Sequence, residues 1–429
     1  MPRNRTTRSW AGALALALGA LTLATGCGGD SSAAGSGGKT VLRYTWWGNP
    51  DRAERTDKAV KLFEKKHPGV RVQTSFAGFD SYKQKLATQA AGGDAPDVMQ
   101  LDYRQIDQYA RGGVLLDLDK QRRQLDTSDM DKALLRTGRV DDTLYAIPQG
   151  RGAMTLVYDA RLWRKAGIKA PRPGWSWSEW ADAVRTVAQR TGKAGATDPG
   201  QSEDAFEVWL RGRGKALYTK DGAPGFTAGD LATYWTFTDR LRRAGAVSTA
   251  EQTTQLDGTV ENTPLGRGTA ASDINWDAPA SGYEPMLGDD VRLAPMPAGE
   301  DGTPGQYFKP SMFVGAAADT AHPDEAAELI DFLVNDPEAA KILGANRGLP
   351  VNDTLRAELE PKLTGFDRTI ADYQDSIKHA VSAPPQAPPA GDISLQTTFQ
   401  RDYDQVSYAH LSPREAAEDY LTELKAELR

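Results

Sequence analysis

Apolar and polar residues along the chain follow two repeats, one of two residues and one of three to four. The first repeat predicts strands, and the second predicts amphipathic helices. The predicted strands are "VLRYTWW" (41–47), "VRVQTSF" (70–76) and "APDVMQL" (95–101), and the predicted helices are 52–66, 81–91 with Ser81 as its cap, and 103–111. Strands and helices therefore alternate from residue 41, which predicts an α/β fold with a largely parallel sheet covered by helices.

Several later helices carry end signals in the sequence. "SWSE" (176–179) and "SPRE" (412–415) are capping boxes, in which the serine caps the helix and the glutamate follows three residues later. The stretch 322–344 predicts two helices broken at Asp336-Pro337, because proline ends a helix. Residues 413–428 predict a docked C-terminal helix, and "SAPPQAPPAG" (382–391) predicts a stiff loop.

The first residues have the pattern of a secretory signal peptide. Three arginines lie within the first eight residues, and residues 10–25 are almost wholly Ala, Leu, Gly and Thr. This apolar run is too short for a typical membrane-spanning helix. We therefore expect residues 1–26 to be a signal peptide.

Cys27 is the only cysteine of the chain, and it follows the small residues Ala24, Thr25 and Gly26. This arrangement resembles the lipobox of bacterial lipoproteins, although Ala24 replaces the leucine usual three positions before the cysteine. The resemblance implies cleavage before Cys27, acylation of its thiol and a location on the outer face of the bacterial cell membrane. Residues 27–40 would then form a lipidated, Gly/Ser-rich flexible linker. An ordinary signal peptide with an incidental cysteine is the alternative.

Length and charge limit the classes of function. A chain of 429 residues suggests about two domains, and 39% hydrophobic with 25% charged residues is typical of a globular protein. Loss of residues 1–26 removes three arginines and no acids, so the formal charge falls from −7 to −10. Such a charge gives no electrostatic reason to bind nucleic acid.

The sequence lacks the common catalytic motifs. It contains no Gly-x-Ser-x-Gly elbow, no Ser-x-x-Lys and no phosphate-binding Walker loop. Its four histidines show no His-x-x-x-His spacing, so we expect no zinc site, no other metal and no cofactor. A carboxylate pair for glycoside cleavage stays open, because 58 acidic residues offer many combinations.

Tryptophan is abundant, with ten residues in the chain. Trp47 closes the predicted strand 41–47, and Trp276 lies at a predicted strand end in "SDINWDAP". Ligands of open α/β sheets bind beyond the carboxyl ends of strands. Sugars pack their C–H faces on aromatic rings and offer hydroxyls to polar side chains. The pattern therefore favours carbohydrate binding, while core packing is the alternative for each tryptophan.

Six segments in this order resemble the extracellular solute-binding proteins of family 1, the sugar receptors of ABC importers, whose layout is that of maltose-binding protein. The segments are "LFEKKHPGVRV", "KLATQAAGGDAPDVMQLD", "LYAIPQGRGAMTLVYDARLWRKAGI", "WSWSEWADAV", "KPSMFVGAAADTAHPDEAAELIDFLVNDPEAAKILGANRGLPVN" and "SPREAAEDYL". The resemblance implies a type II two-lobe periplasmic-binding-protein-like fold with three hinge crossings and a ligand cleft between the lobes.

The resemblance also implies lobe boundaries. The crossings are expected near 146–152, 293–297 and 347–351. Lobe 1 would contain residues 41–148 and 296–346, and lobe 2 would contain residues 149–295 and 347–429.

Carried over from the matching segments, the implied ligand-binding residues share a position at a strand end, a following loop or a crossing. They are Trp47, Asn49, Phe79, Asp80, Asp102, Tyr103, Gln149, Arg151, Trp209, Asn275, Trp276, Tyr307, Lys309 and Arg347. No catalytic residue is implied. The sugar-contact residues of maltose-binding protein are not matched, so the resemblance does not imply maltose.

Three functions stay open at this point. The first is a monomeric, lipid-anchored receptor that delivers an oligosaccharide to an ABC permease. The second is a surface glycoside hydrolase. The third is the same receptor with a polyamine, peptide or metal complex as its cargo, because an acidic aromatic cleft also suits a cation.

Overall fold

The structure is a computed structural model that describes residues 39–385 and 387–428. Cys27, the predicted signal peptide and nearly all of the predicted linker lie outside the described residues. Residues 39–429 group into one compact unit.

Ten strands form within the described residues. They are β1 Thr40–Trp47, β2 Val70–Ala77, β3 Val98–Leu101, β4 Arg139–Val140, β5 Thr143–Leu144, β6 Ile147–Asp159, β7 Ser272–Trp276, β8 Val291–Ala294, β9 Phe308–Ala316 and β10 Leu349–Pro350.

Sixteen α-helices accompany them in the described part of the chain. They are α1 Pro50–Lys66, α2 Phe79–Ala91, α3 Ile106–Arg111, α4 Lys132–Arg136, α5 Ala160–Lys165, α6 Trp177–Thr191, α7 Glu203–Arg211, α8 Ala228–Arg243, α9 Ala250–Thr254, α10 Glu284–Leu287, α11 Pro323–Asn335, α12 Pro337–Leu343, α13 Asp353–Leu359, α14 Gly365–Ile377, α15 Asp392–Ser407 and α16 Pro413–Glu427.

The sheet is mixed, so the prediction of a largely parallel sheet was wrong. β1 pairs in parallel with β2 and β3, as the β-α-β pattern predicts. In contrast, β9 is antiparallel to β3 and β6, and β6 is antiparallel to β7, β8 and β10. The prediction came from the alternation of strands and helices near the start of the folded chain. The later strands pair with strands far away in sequence, and the hydrophobic alternation of a strand does not reveal whether its pairing is parallel or antiparallel.

The long strand β6 changes partners along its length. Residues 147–153 pair with β9, whereas residues 154–159 pair with β7 and β8. The register shifts between Pro148 and Arg151, which marks an irregularity in the first half. One strand therefore connects two groups of strands.

The largest buried clusters also follow this division. One cluster combines residues from 42–147 with residues from 314–351. Another combines residues from 154–307 with residues from 395–424, and Met296 and Tyr307 belong to it. The predicted lobe boundaries themselves stay a prediction.

Local end signals were mostly confirmed. Ser176 with Glu179 and Ser412 with Glu415 form complete capping boxes. The break at Asp336-Pro337 separates α11 from α12, and Asp336 accepts hydrogen bonds from the first turn of α12.

The cap of α2 was predicted at the wrong residue. α2 begins at Phe79, two residues before Ser81, and Gly78 is its N-cap without a side-chain hydrogen bond. No helix among the described residues is both long and apolar enough to cross a bilayer.

Candidate functional site

One cavity has a volume of about 930 Å³ and is lined by many charged side chains together with alanine and proline residues. Its wall comes from the segment after β3, from α4 and the β4–β5 region, from α7 and the loop after it, from β9 and from residues 383–385 and 387–389. The charged and aromatic groups on this wall include Tyr103, Arg104, Asp204, Glu207, Arg211, Tyr218 and Lys309.

Three of these residues come from one face of α7. Asp204, Glu207 and Arg211 are spaced three and four residues apart, so a helix brings them to the same side. The opposite side carries Phe206 and Trp209, which are buried in the core. The helix therefore divides a polar cavity wall from an aromatic core.

Trp276 ends β7 beside this cavity wall, and two charged side chains fix its position. Its indole Nε1–H donates to Oδ2 of Asp204 at 3.0 Å. The ammonium of Lys309 lies 3.9 Å from the centre of the Trp276 ring and 3.6 Å from Asp204. A cation over an indole face is held by the charge distribution of the ring.

Two tyrosines flank this pair. Tyr307 lies 6.3 Å from Trp276, ring centre to ring centre, and its hydroxyl donates to Glu207 at 2.6 Å. Tyr103 lies 5.5 Å from the Lys309 ammonium and donates to the carbonyl of Pro385 at 2.7 Å. The three aromatic rings and Lys309 therefore form one group on the polar face of α7, which we call the aromatic–lysine group.

Arg104 joins this group to distant parts of the chain. Its guanidinium lies 3.0 Å from both Glu203 and Asp204 at the start of α7. It also pairs with Asp392, the first residue of α15, whose other oxygen accepts from Tyr218. We call Arg104, Glu203, Asp204 and Asp392 the Arg104 cluster.

The Arg104 cluster shifts the proton affinities of its members. Burial alone would lower the pKa of Arg104, but Asp392, Glu203 and Asp204 hold it well above its ordinary value. Burial, reinforced by repulsion from Asp392 and Asp204, raises the pKa of Glu203 to about 8. For Asp204, burial is outweighed by Lys309 and Arg104, so its pKa is lowered. Two adjacent carboxyl groups at the start of α7 therefore have pKa values shifted in opposite directions.

Four predicted ligand residues lie at the ends of β1 and β2, away from the cavity wall. Trp47 and Phe79 pack edge to face with ring centres 5.3 Å apart. Asn49 caps α1 by accepting from the amide of Arg52 at 2.9 Å. Asp80 is exposed and lies 3.1 Å from Lys83.

The side chain of Gln149 is buried, and those of Asp102 and Arg151 are partly buried. Asp102 caps the turn after β3 by accepting from the amide of Arg104 at 3.0 Å. Gln149 is buried at the irregular part of β6, and neither atom of its amide group has a partner. Arg151 donates to Gln374 at 2.8 Å and lies over the ring of Phe308.

The structure places Trp209 in the core, where it is 2% exposed. Its ring packs against Phe206 and Tyr234, and the guanidinium of Arg213 covers it at 3.5 Å. Asn275 is partly buried and donates to Asp273 at 3.3 Å. Arg347 is buried and donates to Thr56 of α1 at 2.7 Å.

Of the fourteen predicted residues, the cavity wall contains Tyr103 and Lys309, with Trp276 and Tyr307 packed next to them. Sequence reasoning missed Arg104, Asp204, Glu207 and Arg211. The spacing of charges in "EDAFEVWLRGRG" was an available signal for three of these, because it puts them on one helix face. Arg104 had no such signal, since its partners lie far away in the sequence.

Within the described residues, no group of three or more His, Cys, Asp or Glu side chains is arranged to hold a metal ion.

Comparisons with known proteins agree with the fold. The chain is 25% identical over 345 residues to the diacetylchitobiose-binding protein DasA of Streptomyces coelicolor, covering 78% of this chain and 80% of that protein. A family 1 extracellular solute-binding protein from Alicyclobacillus acidocaldarius is 31% identical with a TM-score of 0.69, covering 91% of this chain and 99% of that one. A periplasmic oligogalacturonide-binding protein from Yersinia enterocolitica, solved with saturated digalacturonic acid, has a TM-score of 0.80 at 22% identity, covering 91% and 100%.

The sequence profile of the bacterial extracellular solute-binding proteins matches residues 49–340, about two thirds of the chain. This match and the 31% identical structure agree with the family expected from the sequence. The protein is therefore a member of the bacterial extracellular solute-binding protein family.

Proposed function

We propose that the protein captures an oligosaccharide outside the cell and delivers it to the permease of an ABC importer. The observation that carries this proposal is the aromatic–lysine group beside a polar cavity of about 930 Å³. Flat rings offer surfaces for the C–H faces of sugars, and the charged side chains offer directed hydrogen bonds to hydroxyls. The relative DasA is named for binding a disaccharide.

The position of Lys309 argues against a cationic cargo such as a polyamine. Its ammonium already lies over Trp276 at 3.9 Å and near Tyr103 at 5.5 Å. A second cation at these rings would be repelled by the first. A neutral or acidic saccharide meets no such repulsion.

We further propose that the ligand binds between two lobes that close on it. The change of partners along β6 and the two buried clusters support lobes of residues 41–148 with 296–346 and 149–295 with 347–429. Met296 and Tyr307 pack in the second cluster, which favours a second crossing nearer to Phe308. We propose that Trp47, Asn49, Phe79 and Asp80, at the ends of β1 and β2, also contribute to this cleft, and that the protein acts as a monomer.

The binding test is a titration with a panel of neutral and acidic oligosaccharides, followed by tryptophan fluorescence and calorimetry. Trp276→Ala should weaken binding at least about tenfold, because a stacking surface worth about 1.4 kcal/mol or more is lost. Trp175→Phe is the matched control, since Trp175 packs in the core cluster away from the cavity wall. Unchanged affinity in Trp276→Ala would contradict the assignment of this site.

We propose that the protein binds without catalysis. Chromatography of the same mixtures should show the oligosaccharide intact after long incubation. A released monosaccharide would establish the glycoside hydrolase alternative instead. X-ray scattering of the bound protein should show a smaller radius of gyration than that of the free protein, as lobe closure requires.

We propose that Cys27 carries the lipid anchor. Cys27→Ser should release the protein into the medium or leave its signal peptide uncut. A Cys27→Ser protein that is processed and stays in the membrane fraction would contradict this anchor, without affecting the proposed ligand.

A further inference from the structure

Arg347 is a buried cation without an anionic partner. Its side chain belongs to a residue that is 3% exposed, and its Nη2 donates to the hydroxyl of Thr56 at 2.7 Å. Its Nε and Nη1 find no acceptor. Among residues 39–385 and 387–428, no carboxylate lies within 4.0 Å of its guanidinium. A buried charge of this kind is costly unless something pairs with it.

A second guanidinium increases this excess of positive charge. Burial and then the charge of Arg347 lower the pKa of Arg52 to about 9. The donors of Arg52 meet neutral oxygens only, namely the carbonyls of Trp47 and Asn346 and the side-chain oxygen of Asn346. The nearby carboxylate of Asp51 is half exposed and pairs with Arg55 at 3.1 Å.

Two buried aromatic side chains lie in the same region. Burial lowers the pKa of Arg347, and the neutral hydroxyl of the buried Tyr44 beside it opposes that shift. The indole Nε1–H of Trp46 is buried and unpaired, and its ring centre lies 5.0 Å from that of Tyr44. Buried donors left without acceptors cost free energy. The region therefore holds two buried guanidinium groups, and the acceptors that they meet are neutral oxygens.

We propose that a small monovalent anion of the halide class binds beside the Arg347 guanidinium, between β1, α1 and the segment that leads into β10. Such an anion supplies the missing negative charge and accepts from Nε–H or from Nη1–H of Arg347, which point to different edges of the planar guanidinium. The enclosure favours a compact ion, because Tyr44 and Thr56 are fully buried.

The proposed anion site lies beside the segment that leads into β10, which is one of the expected crossings between the lobes. Arg347 lies two residues before β10, which pairs with Gly150 and Arg151 of β6. Ser311 of β9 donates to the carbonyls of Gly150 and Arg347. An anion bound to Arg347 therefore links β1 and α1 to the region where β6, β9 and β10 meet. This inference is independent of the identity of the transported ligand.

The first experiment compares thermal unfolding of the full protein in sodium chloride and in sodium gluconate at matched ionic strength. Chloride should raise Tm by at least about 1 °C, with a dependence that saturates as a binding site fills. Arg347→Met should abolish this increment and should be no less stable than the wild type in gluconate, because the unpaired charge is gone. Arg242→Met is the matched control, since Arg242 pairs with Asp239 and should keep the chloride effect.

The second experiment does not depend on the folding of a variant. Crystals grown in sodium bromide should show an anomalous bromide peak within hydrogen-bond distance of Nε or Nη1 of Arg347. Equal Tm in chloride and gluconate, a chloride increment that survives in Arg347→Met, or an ordered water at this position without anomalous signal would each overturn the proposal.

Discussion

The indole of Trp276 and the carboxylate of Asp204 are joined by a hydrogen bond of 3.0 Å. Trp276 ends β7 and Asp204 lies in the first turn of α7, so the bond fixes the angle of the ring against the cavity wall. Asp204 also pairs with Arg104 and Lys309. One carboxylate therefore positions the aromatic ring and both neighbouring cations.

Asp204→Ala should weaken oligosaccharide binding by about tenfold, because a free indole loses its fixed orientation and each tenfold corresponds to about 1.4 kcal/mol. Asp204→Asn keeps an acceptor for the indole and should lose less. Calorimetric titration measures both, with Asp221→Asn as the control, since Asp221 is an exposed residue of the same cavity. Equal affinities in all variants would contradict a positioning role for Asp204.

Arg104→Met should destabilise the protein by about 3–5 kcal/mol, because it leaves buried carboxylates without their shared cation. Glu203 and Asp392 are almost fully buried, so water cannot replace the guanidinium. Adding Asp392→Asn to this variant should recover part of the loss. Urea unfolding at pH 7 gives the free energies, and Arg414→Met should be neutral because Arg414 is 75% exposed. A neutral Arg104→Met would show that the Arg104 cluster contributes no stability.

Asp277→Asn should flatten the pH dependence of stability. Burial raises the pKa of Asp277 from its ordinary 3.8 to about 7. Between these values the folded protein binds more protons than the unfolded chain, so wild-type stability falls as pH rises through this window.

Asparagine has no proton to lose, and its side-chain oxygen keeps an acceptor for the amide of Ala153 and for Gln374. The stability of Asp277→Asn relative to the wild type should therefore increase by up to about 1.4 kcal/mol per pH unit from pH 5 to 7 and stay constant above that. Urea unfolding across this range checks the sign. Asp182→Asn, at a side chain that is 80% exposed, should show no such trend.

Gly150→Ala should destabilise the protein by about 1–3 kcal/mol, because the added Cβ overpacks a closed contact. An added Cβ there would lie 2.1 Å from the carbonyl oxygen of Arg347, and backbone cannot move aside as a flexible side chain can. Gly69→Ala is the matched control, since its Cβ meets nothing within 4 Å. Thermal unfolding of both variants measures the difference, and equal Tm values would contradict close contact between β6 and the backbone of Arg347 and Gly348.

Structural features that depend on residues close together in the sequence were predicted well. The capping boxes at Ser176 and Ser412 and the break at Pro337 depend on contacts within about four residues. Strand β7 ends at Trp276, as the residues around it suggested. Ser81 is not the N-cap of α2, because the helix begins two residues earlier, at Phe79. Its N-cap is Gly78, which makes no side-chain hydrogen bond to the helix.

The sequence by itself determined the family, the helix ends and the place of Trp276 at the end of a strand, because each depends on short segments or on their order. Only the tertiary structure decided the direction of β9 against β6, the burial of Trp209 and the pairing of Arg104 with Asp392, 288 residues away. Pairing and burial between distant segments are set by how the elements pack together. The hydrophobic periodicity of one segment does not reveal which other segment it pairs with.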